Sequence, residues 1–594
     1  MPRSLFLRPR RLTCTDSLQF TFLKPAMPVL KPTSEWGHCV PPESDYGITT
    51  YAPGWESAIK VRDGDQAIMA RVVHIYPRFG PFGPVAKALM AICAKIQPPE
   101  GHGALYFTSP ASFAAVRAHA LHPHRKQHIL TDEDLGYRCV DIGDVRLYLV
   151  TFPRPKTPGI IGAWQNPGIG VSVRLAEKLL RDIDSLKEVN VEVGSPPPPT
   201  EYLPEGEAHG KLRERITGLL HRAAIDPEKV KVGSKDVFLY STGMAAIFAA
   251  HKTVLEYRPG AVVILGVAFH STMHYLQESS PHGYKHFGPV DAKGLDDFES
   301  WLDGEAAAGR DVSYVITEFP SNPLLASIDI GHLKKLAEKH KFVLVLDDTL
   351  GSFASIDILS DSDILVSSLT KSFSGYANVL GGSTVLNPLS SHYSALSSLW
   401  SKTYHNELYV GDAEVLLSNS EDYLQRTAVL NRNAATMANH LHAHTKNPSS
   451  PIARVLYPTL LPDYEIYKAR LRKPTPDLPE PGAGCLLSID FDSVATARAF
   501  YDRLAFYPGP HLGAHRTLSF AYNLLAFGKD PNEAAYHRSY GILEETVRIS
   551  AGLEDVQDLL DTLDDALVVA QETKDKLAEG PRTVEAAAGL GVAA

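Results

Sequence analysis

Ile364-Leu365-Val366-Ser367-Ser368-Leu369-Thr370-Lys371-Ser372 joins three branched aliphatic residues to a hydroxyl-rich segment carrying a lysine. A run that short and that apolar suits a strand buried on both faces of a sheet. Lys371 then emerges at the strand's carboxyl end, where open α/β sheets bind ligands. Ser368 and Thr370 offer hydroxyls two residues apart, a pair that suits a phosphate. A lysine after a strand is otherwise usually a surface lysine, so the meaning of Lys371 depends on its surroundings.

Outward from this stretch the same pattern repeats. Val237 to Tyr240, Val262 to Leu265, Tyr314 to Ile316 and Phe342 to Leu346 are short apolar runs, and Leu333, Leu336 and Ala337 stand at helical spacing between two of them. That alternation predicts an α/β domain with a mostly parallel sheet and helices on both sides. From Gly411 onward a helical stretch leads into three further strand-like runs, Cys485 to Ile489, Thr517 to Ala521 and Val547 to Ser550, which predict a smaller α+β domain. Val556, Leu559, Leu560, Leu563 and Leu567 trace one face of a closing helix.

Other strand ends carry residues suited to the same chemistry. Thr242-Gly243-Met244-Ala245 lies between a strand and a helix, where glycine lets backbone amides approach an anion. It also reads as an ordinary strand-to-helix turn. Asp347 ends its strand and is placed to keep a pyridine nitrogen protonated, although either it or Asp348 can instead cap the next helix.

In order along the chain stand Thr242-Gly243-Met244, Pro320-Ser321-Asn322-Pro323, Asp347-Asp348-Thr349, Ser368-Leu369-Thr370-Lys371 and Arg548-Ile549-Ser550-Ala551-Gly552-Leu553-Glu554. This series resembles the Cys/Met metabolism (trans-sulfuration) family of pyridoxal-phosphate enzymes, from about Tyr202 to Leu567. Tyr51-Ala-Pro-Gly-Trp55 and Tyr76-Pro-Arg-Phe79 resemble the extra N-terminal region of fungal cystathionine gamma-synthases. The resemblance implies the fold-type I aminotransferase-like architecture and pyridoxal 5'-phosphate as cofactor. It implies Lys371 as Schiff-base and proton-transfer lysine, Asp347 at the pyridine nitrogen and Asn322 near the phenolic oxygen. Gly243, Met244, Ser368 and Thr370 would take the phosphate, Phe269 would stack on the ring, and Arg548 would clamp the substrate carboxylate.

The activity so implied is γ-replacement: an O-acylated L-homoserine reacts with L-cysteine to give L-cystathionine. Alternatives are γ-replacement with another nucleophile in specialised metabolism, a C–S lyase, and a non-catalytic regulatory or assembly subunit. A homodimer or homotetramer is also implied. Three positions depart from the family pattern. Phe269 replaces a tyrosine, which removes a phenol able to move protons. The tyrosine-x-arginine that reaches a neighbouring subunit's phosphate is not found at Tyr202 to Lys211, where Pro204 holds the arginine position. His511 and Arg516 replace a serine and a glutamate, which points to a changed substrate preference.

The 594 residues are 44% hydrophobic and 21% charged, with a net charge of -10. That balance suits a multi-domain globular protein and gives no global attraction to nucleic acid or anionic lipid. No apolar stretch is long enough to span a membrane. Cys14, Cys39, Cys93, Cys139 and Cys485 form no C-x-x-C pair, which argues against disulfides or a zinc site and fits the cytoplasm. Arg3, Arg8, Arg10 and Arg11 before any acid also read as a mitochondrial presequence. Pro196 to Pro199 mark a linker. The expected division is residues 1–45 disordered, 46–193 an N-terminal module, 194–201 the linker, 202–410 the large cofactor domain, 411–578 the α+β domain and 579–594 a disordered tail. His440, His442 and His444 cannot all share one helix face, which argues against metal ligation there. His119, His122, His124 and His128 read as a solvated loop.

Overall fold

The computed structural model describes residues 30–123, 125, 127–190 and 203–579. The expected linker, residues 1–29 and the tail beyond Glu579 lie outside the described residues.

The N-terminal module holds four strands, β1 (His102–Phe107), β2 (Gly136–Ile142), β3 (Val145–Pro153) and β4 (Lys187–Val189), in an antiparallel sheet of order β1-β3-β2-β4. The large domain holds β5 (Val237–Tyr240), β6 (Ala261–Leu265), β7 (Tyr284–Phe287), β8 (Val312–Glu318), β9 (Val343–Asp347), β10 (Ile364–Ser367) and β11 (Gly382–Leu386). Their order is β5-β11-β10-β9-β8-β6-β7, parallel except for β11, which runs against both of its neighbours. The C-terminal domain adds β12 (Ile452–Leu456), β13 (Leu486–Phe491), β14 (Tyr507–Pro508), β15 (Leu518–Ala521) and β16 (Thr546–Ser550), ordered β12-β13-β16-β15-β14.

Alternation along the central strands divides the core between two faces, because successive side chains point opposite ways. Val263, Leu265, Val315, Leu344, Leu346 and Leu365 pack with helices Glu207–His221 and Ile330–His340 and with the C-terminal domain. Val262, Ile264, Ile316, Val343, Val345 and Val366 pack with helix Gly243–Tyr257 and the N-terminal module. A sheet covered on both faces explains why these strands read as continuous apolar runs.

The expected boundary at residue 46 is corrected. Residues from Leu30 onward are packed, with Cys39 and Val40 buried, and the stretch 30–80 forms a continuous strap. Its contacts are spread across the rest of the chain. Leu30 N donates to Thr562 Oγ1 at 3.3 Å, Thr33 N to the Tyr507 hydroxyl at 3.2 Å and Ile48 N to Ala377 O at 2.9 Å. Pro41 O accepts from His515 Nε2 at 2.8 Å and from Arg516 Nε at 3.3 Å. Arg516, expected to tune substrate choice, thus holds the strap. Among the described residues no helix is long and apolar enough to cross a membrane.

Candidate active site

The carboxyl ends of the parallel strands converge as open-sheet topology requires. After β5, the Thr242 side chain caps helix Gly243–Tyr257 by accepting from Ala245 N at 2.9 Å. The first-turn amides of Gly243 and Met244 lack intrahelical acceptors and sit at the positive end of the helix dipole, which makes them an anion cradle. Close approach explains Gly243, since a Cβ there would stand 2.7 Å from Ser368 Cβ. Ser368 is in turn fixed by its amide, which donates to Thr349 Oγ1 at 2.9 Å. Thr370 departs from expectation. Its hydroxyl donates to Gly381 O at 3.2 Å and accepts from Gly381 N at 3.0 Å, so its one proton pins the turn instead of facing a phosphate.

The two neighbouring aspartates face different partners. Asp348 accepts the Ser367 hydroxyl proton, and burial pushes its carboxyl up to about 7. Asp347 accepts from Thr349 N at 2.9 Å and pairs in register with Glu318 at the end of β8. Burial raises the Asp347 carboxyl, and burial together with Asp347's charge raises that of Glu318. Glu318 Oε1 also accepts from Phe269 N at 2.6 Å and so orients that aromatic residue. Two buried carboxylates side by side cannot both ionise without a cation between them. A pyridinium nitrogen is such a cation.

Asn322 Oδ1 accepts from Arg548 Nη1 at 3.0 Å, and Arg548 Nη2 donates to Pro510 O at 2.6 Å. Arg548 lies in the middle of β16 at 3% exposure, between the rings of Phe520 and Tyr522 at 5.2 and 5.1 Å. Burial lowers its guanidinium to about 10. Arg548 is thus a buried, anchored cation.

The strap supplies two residues not expected at the site. Lys371 Nζ stands 5.1 Å from the centre of the Tyr76 ring. Arg78, 4% exposed, stands 5.2 Å from the centre of the Phe269 ring and reaches the Ser271 hydroxyl at 3.3 Å. Gly168, at φ +64°, shows how tightly this corner closes. A Cβ on it would meet Thr242 Oγ1 at 2.5 Å, Met244 Cβ at 2.9 Å and Arg78 Cδ at 3.0 Å. Arg78 therefore borders the anion cradle. Tyr76-Pro77-Arg78 carries the tyrosine-x-arginine spelling that is not found at Tyr202 to Lys211, and that spelling was the available signal.

Charge couples these groups. Burial lowers the Lys371 amine, reinforced by Arg548 and Arg78 and opposed by Tyr76. Burial alone would raise the Tyr76 phenol, but Lys371 and Arg78 outweigh it and leave the phenol below its ordinary value. The phenol missing at Phe269 is thus present from another direction. The residues fit pyridoxal phosphate: an anion cradle with a guanidinium, an aromatic face, buried carboxylates needing a cation, and an amine.

Two histidine expectations change. His119 is no solvated-loop residue: it lies on helix Ala111–Ala120, and with Arg125 it shares Glu278, each at 2.9 Å. His440 and His444, four residues apart, do share a helix face, and together with Asp564 their ligand atoms lie within 4.8 Å of one another.

Comparison with known proteins agrees with this geometry. Residues 228–568 match the family described as Cys/Met metabolism PLP-dependent enzyme. The cystathionine gamma-synthase-like enzyme iboG1 of Amanita muscaria is 31% identical, covering 90% of this chain and 98% of that protein. Alanine racemase ungC of Aspergillus violaceofuscus is 30% identical, covering 91% and 97%. Cystathionine gamma-synthase of Neurospora crassa is 27% identical, covering 91% and 99%. In fold the chain is similar to the crystal structure of cystathionine gamma synthase from Xanthomonas oryzae pv. oryzae, with a TM-score of 0.50 and 22% identity over 62% of this chain and 87% of that one. A packed strap, a two-faced α/β sheet and these matches lead to one conclusion, that the chain belongs to the Cys/Met metabolism family of pyridoxal-phosphate-dependent enzymes.

Proposed function

We propose that the protein catalyses γ-replacement at an O-acylated L-homoserine, with L-cysteine as the nucleophile and L-cystathionine as the product. The observation that carries this is the contact between Lys371 and Tyr76. γ-Replacement needs protons removed and returned at more than one carbon, and two adjacent proton carriers with depressed pKa values suit that traffic. When bound, pyridoxal phosphate supplies the electron sink that lets the amino acid's α- and β-carbons release protons.

In this assignment Gly243 and Met244 amides, the Ser368 hydroxyl and Arg78 hold the phosphate. Asp347 keeps a proton at the pyridine nitrogen, Phe269 lies against the ring, and Asn322 serves its phenolic oxygen. Arg548 takes the substrate carboxylate through its bidentate fork. Lys371 anchors the cofactor and then carries protons, with Tyr76 as its partner.

A different nucleophile, as in specialised metabolism, is favoured by one residue. His511 is 1% exposed, and among the described residues neither ring nitrogen has a hydrogen-bond partner. Burial, and then the charges of Lys371 and Arg548, hold it well below its ordinary pKa. A buried polar group left unpaired costs about 1–3 kcal/mol, and a substrate group that bonds it recovers that cost.

Mass spectrometry of products from cofactor-loaded protein with O-acetyl- or O-succinylhomoserine, with and without L-cysteine, tests both readings. Cystathionine formed only with both partners is the expected result. Consumption of the acylated homoserine with no cystathionine sinks the first reading and directs the search to other nucleophiles.

A further inference from the structure

We propose that His38, Glu43 and His74 form a binding site for a divalent metal ion of the zinc class. One ligand atom from each lies within 4.8 Å of the other two. Around a tetrahedral zinc ion, donors at about 2.0–2.2 Å from the metal stand roughly 3.3 Å apart. The three groups therefore need only a small side-chain adjustment to close on an ion. Two imidazoles and a carboxylate form a donor set that zinc accepts, with a fourth position left for water.

The backbones that carry His38 and His74 are already fixed to each other. Gly37 O accepts from Val73 N at 2.9 Å and from His74 N at 3.0 Å, while His38 O accepts from Tyr51 N at 2.7 Å. Gly37 has φ +88°, and a Cβ there would stand 2.2 Å from Arg71 O, so the two segments meet where only glycine fits. Little chain entropy remains to be lost when an ion binds. His38 Nδ1 lies 2.7 Å from Glu43 Oε1, and the His38 and His74 rings are 5.6 Å apart. His74 is 7% exposed, and among the described residues its Nδ1 has no partner. The Glu43 side chain is 61% exposed, which gives an ion its way in.

The position has a consequence for the site. His74 precedes Tyr76 by two residues and Arg78 by four, so an ion there staples the strap segment that delivers both. The cluster of His440, His444 and Asp564 is a competitor on two helices in which, unlike His74, no ligand residue is buried.

The test uses full-length, cofactor-loaded protein carrying His440→Asn to remove that competitor, stripped with EDTA and titrated with zinc against a chromogenic chelator. One zinc ion per chain is expected, with affinity falling at least tenfold in Glu43→Gln and in His38→Asn. Both substitutions lie at accessible positions, and circular dichroism checks that each variant is folded. No zinc retained against the chelator, or an affinity that neither substitution lowers, overturns the site.

Discussion

The edge of the large sheet and the strap over residues 30–80 reach the same lysine by different routes. At the sheet edge, each functional side chain sits within a few residues of a strand end, and the strand's burial fixes its direction. Lys371, Asp347, Asn322 and Gly243 are positioned this way. The strap contains one regular helix of more than two turns, Trp55–Asp63, and is held by contacts to residues hundreds of positions away. The sheet edge is positioned by local structure and the strap by tertiary docking, so substitutions in the two should act differently.

The largest effect falls at the sheet edge. Under the proposed assignment Lys371→Ala removes anchor and proton carrier together, and activity should fall by about 10⁴-fold or more. The yellow absorption of the loaded protein should vanish with it. Retained colour at the same wavelength would place the anchor elsewhere.

Arg78→Ala tests the strap's share. Losing a charge-assisted contact to phosphate should weaken cofactor affinity by about 10–100-fold, from a hydrogen-bond contribution of roughly 1.5–3 kcal/mol. Dialysis against cofactor-free buffer, followed by absorbance, reads this directly. Lys371→Ala and Arg78→Ala chains refolded together should recover no activity beyond that of Arg78→Ala alone, because strap and lysine meet within one chain. Recovery well above that level would show that straps are exchanged between subunits.

Tyr76→Phe acts more modestly, on the order of 10–100-fold in kcat. Its pH behaviour has a definite sign. The phenol's negative charge raises the Lys371 pKa, so removing it lowers that pKa further. Capture of the cofactor by stripped protein requires the neutral amine, so the midpoint of uptake rate against pH should move to lower pH. A midpoint that stays or rises would separate Tyr76 from the lysine.

The same comparison shows how far residues alone reveal structure. β5, β6, β8, β9 and β10 were legible because burial on both faces leaves uninterrupted apolar runs. β7 was not, because as an edge strand it alternates weakly and stays part-exposed. β11 begins at Gly382 and pairs antiparallel where the surrounding pattern implies parallel. In the candidate site, ordered motifs singled out Gly243, Asp347, Asn322 and Arg548, each of which lies in or just beyond a strand. Tyr76-Pro77-Arg78 was visible as letters, yet nothing local ties it to a lysine about 300 residues later. Thr370 shows the reverse: its motif is plain, but the hydroxyl's direction is decided by Gly381 across the turn.

The smallest effect probes how the strap is fastened. Trp55 N, the first amide of helix Trp55–Asp63, donates to Asp502 Oδ1 at 2.5 Å, and the Trp55 ring packs edge-on against Tyr501 at 5.9 Å. That first amide has no acceptor within its own helix. Asp502→Ala leaves it unpaired and should cost about 1 kcal/mol, comparable to loss of a helix cap. Because the strap docks on the domains, the cost should appear as local opening and not as global unfolding. Hydrogen exchange should quicken roughly fivefold across 55–63 while amides of β8 and β9 keep their protection. If β8 and β9 lose protection equally, strap and sheet unfold as one cooperative unit, and the separation between locally placed and docked residues does not extend to their stability.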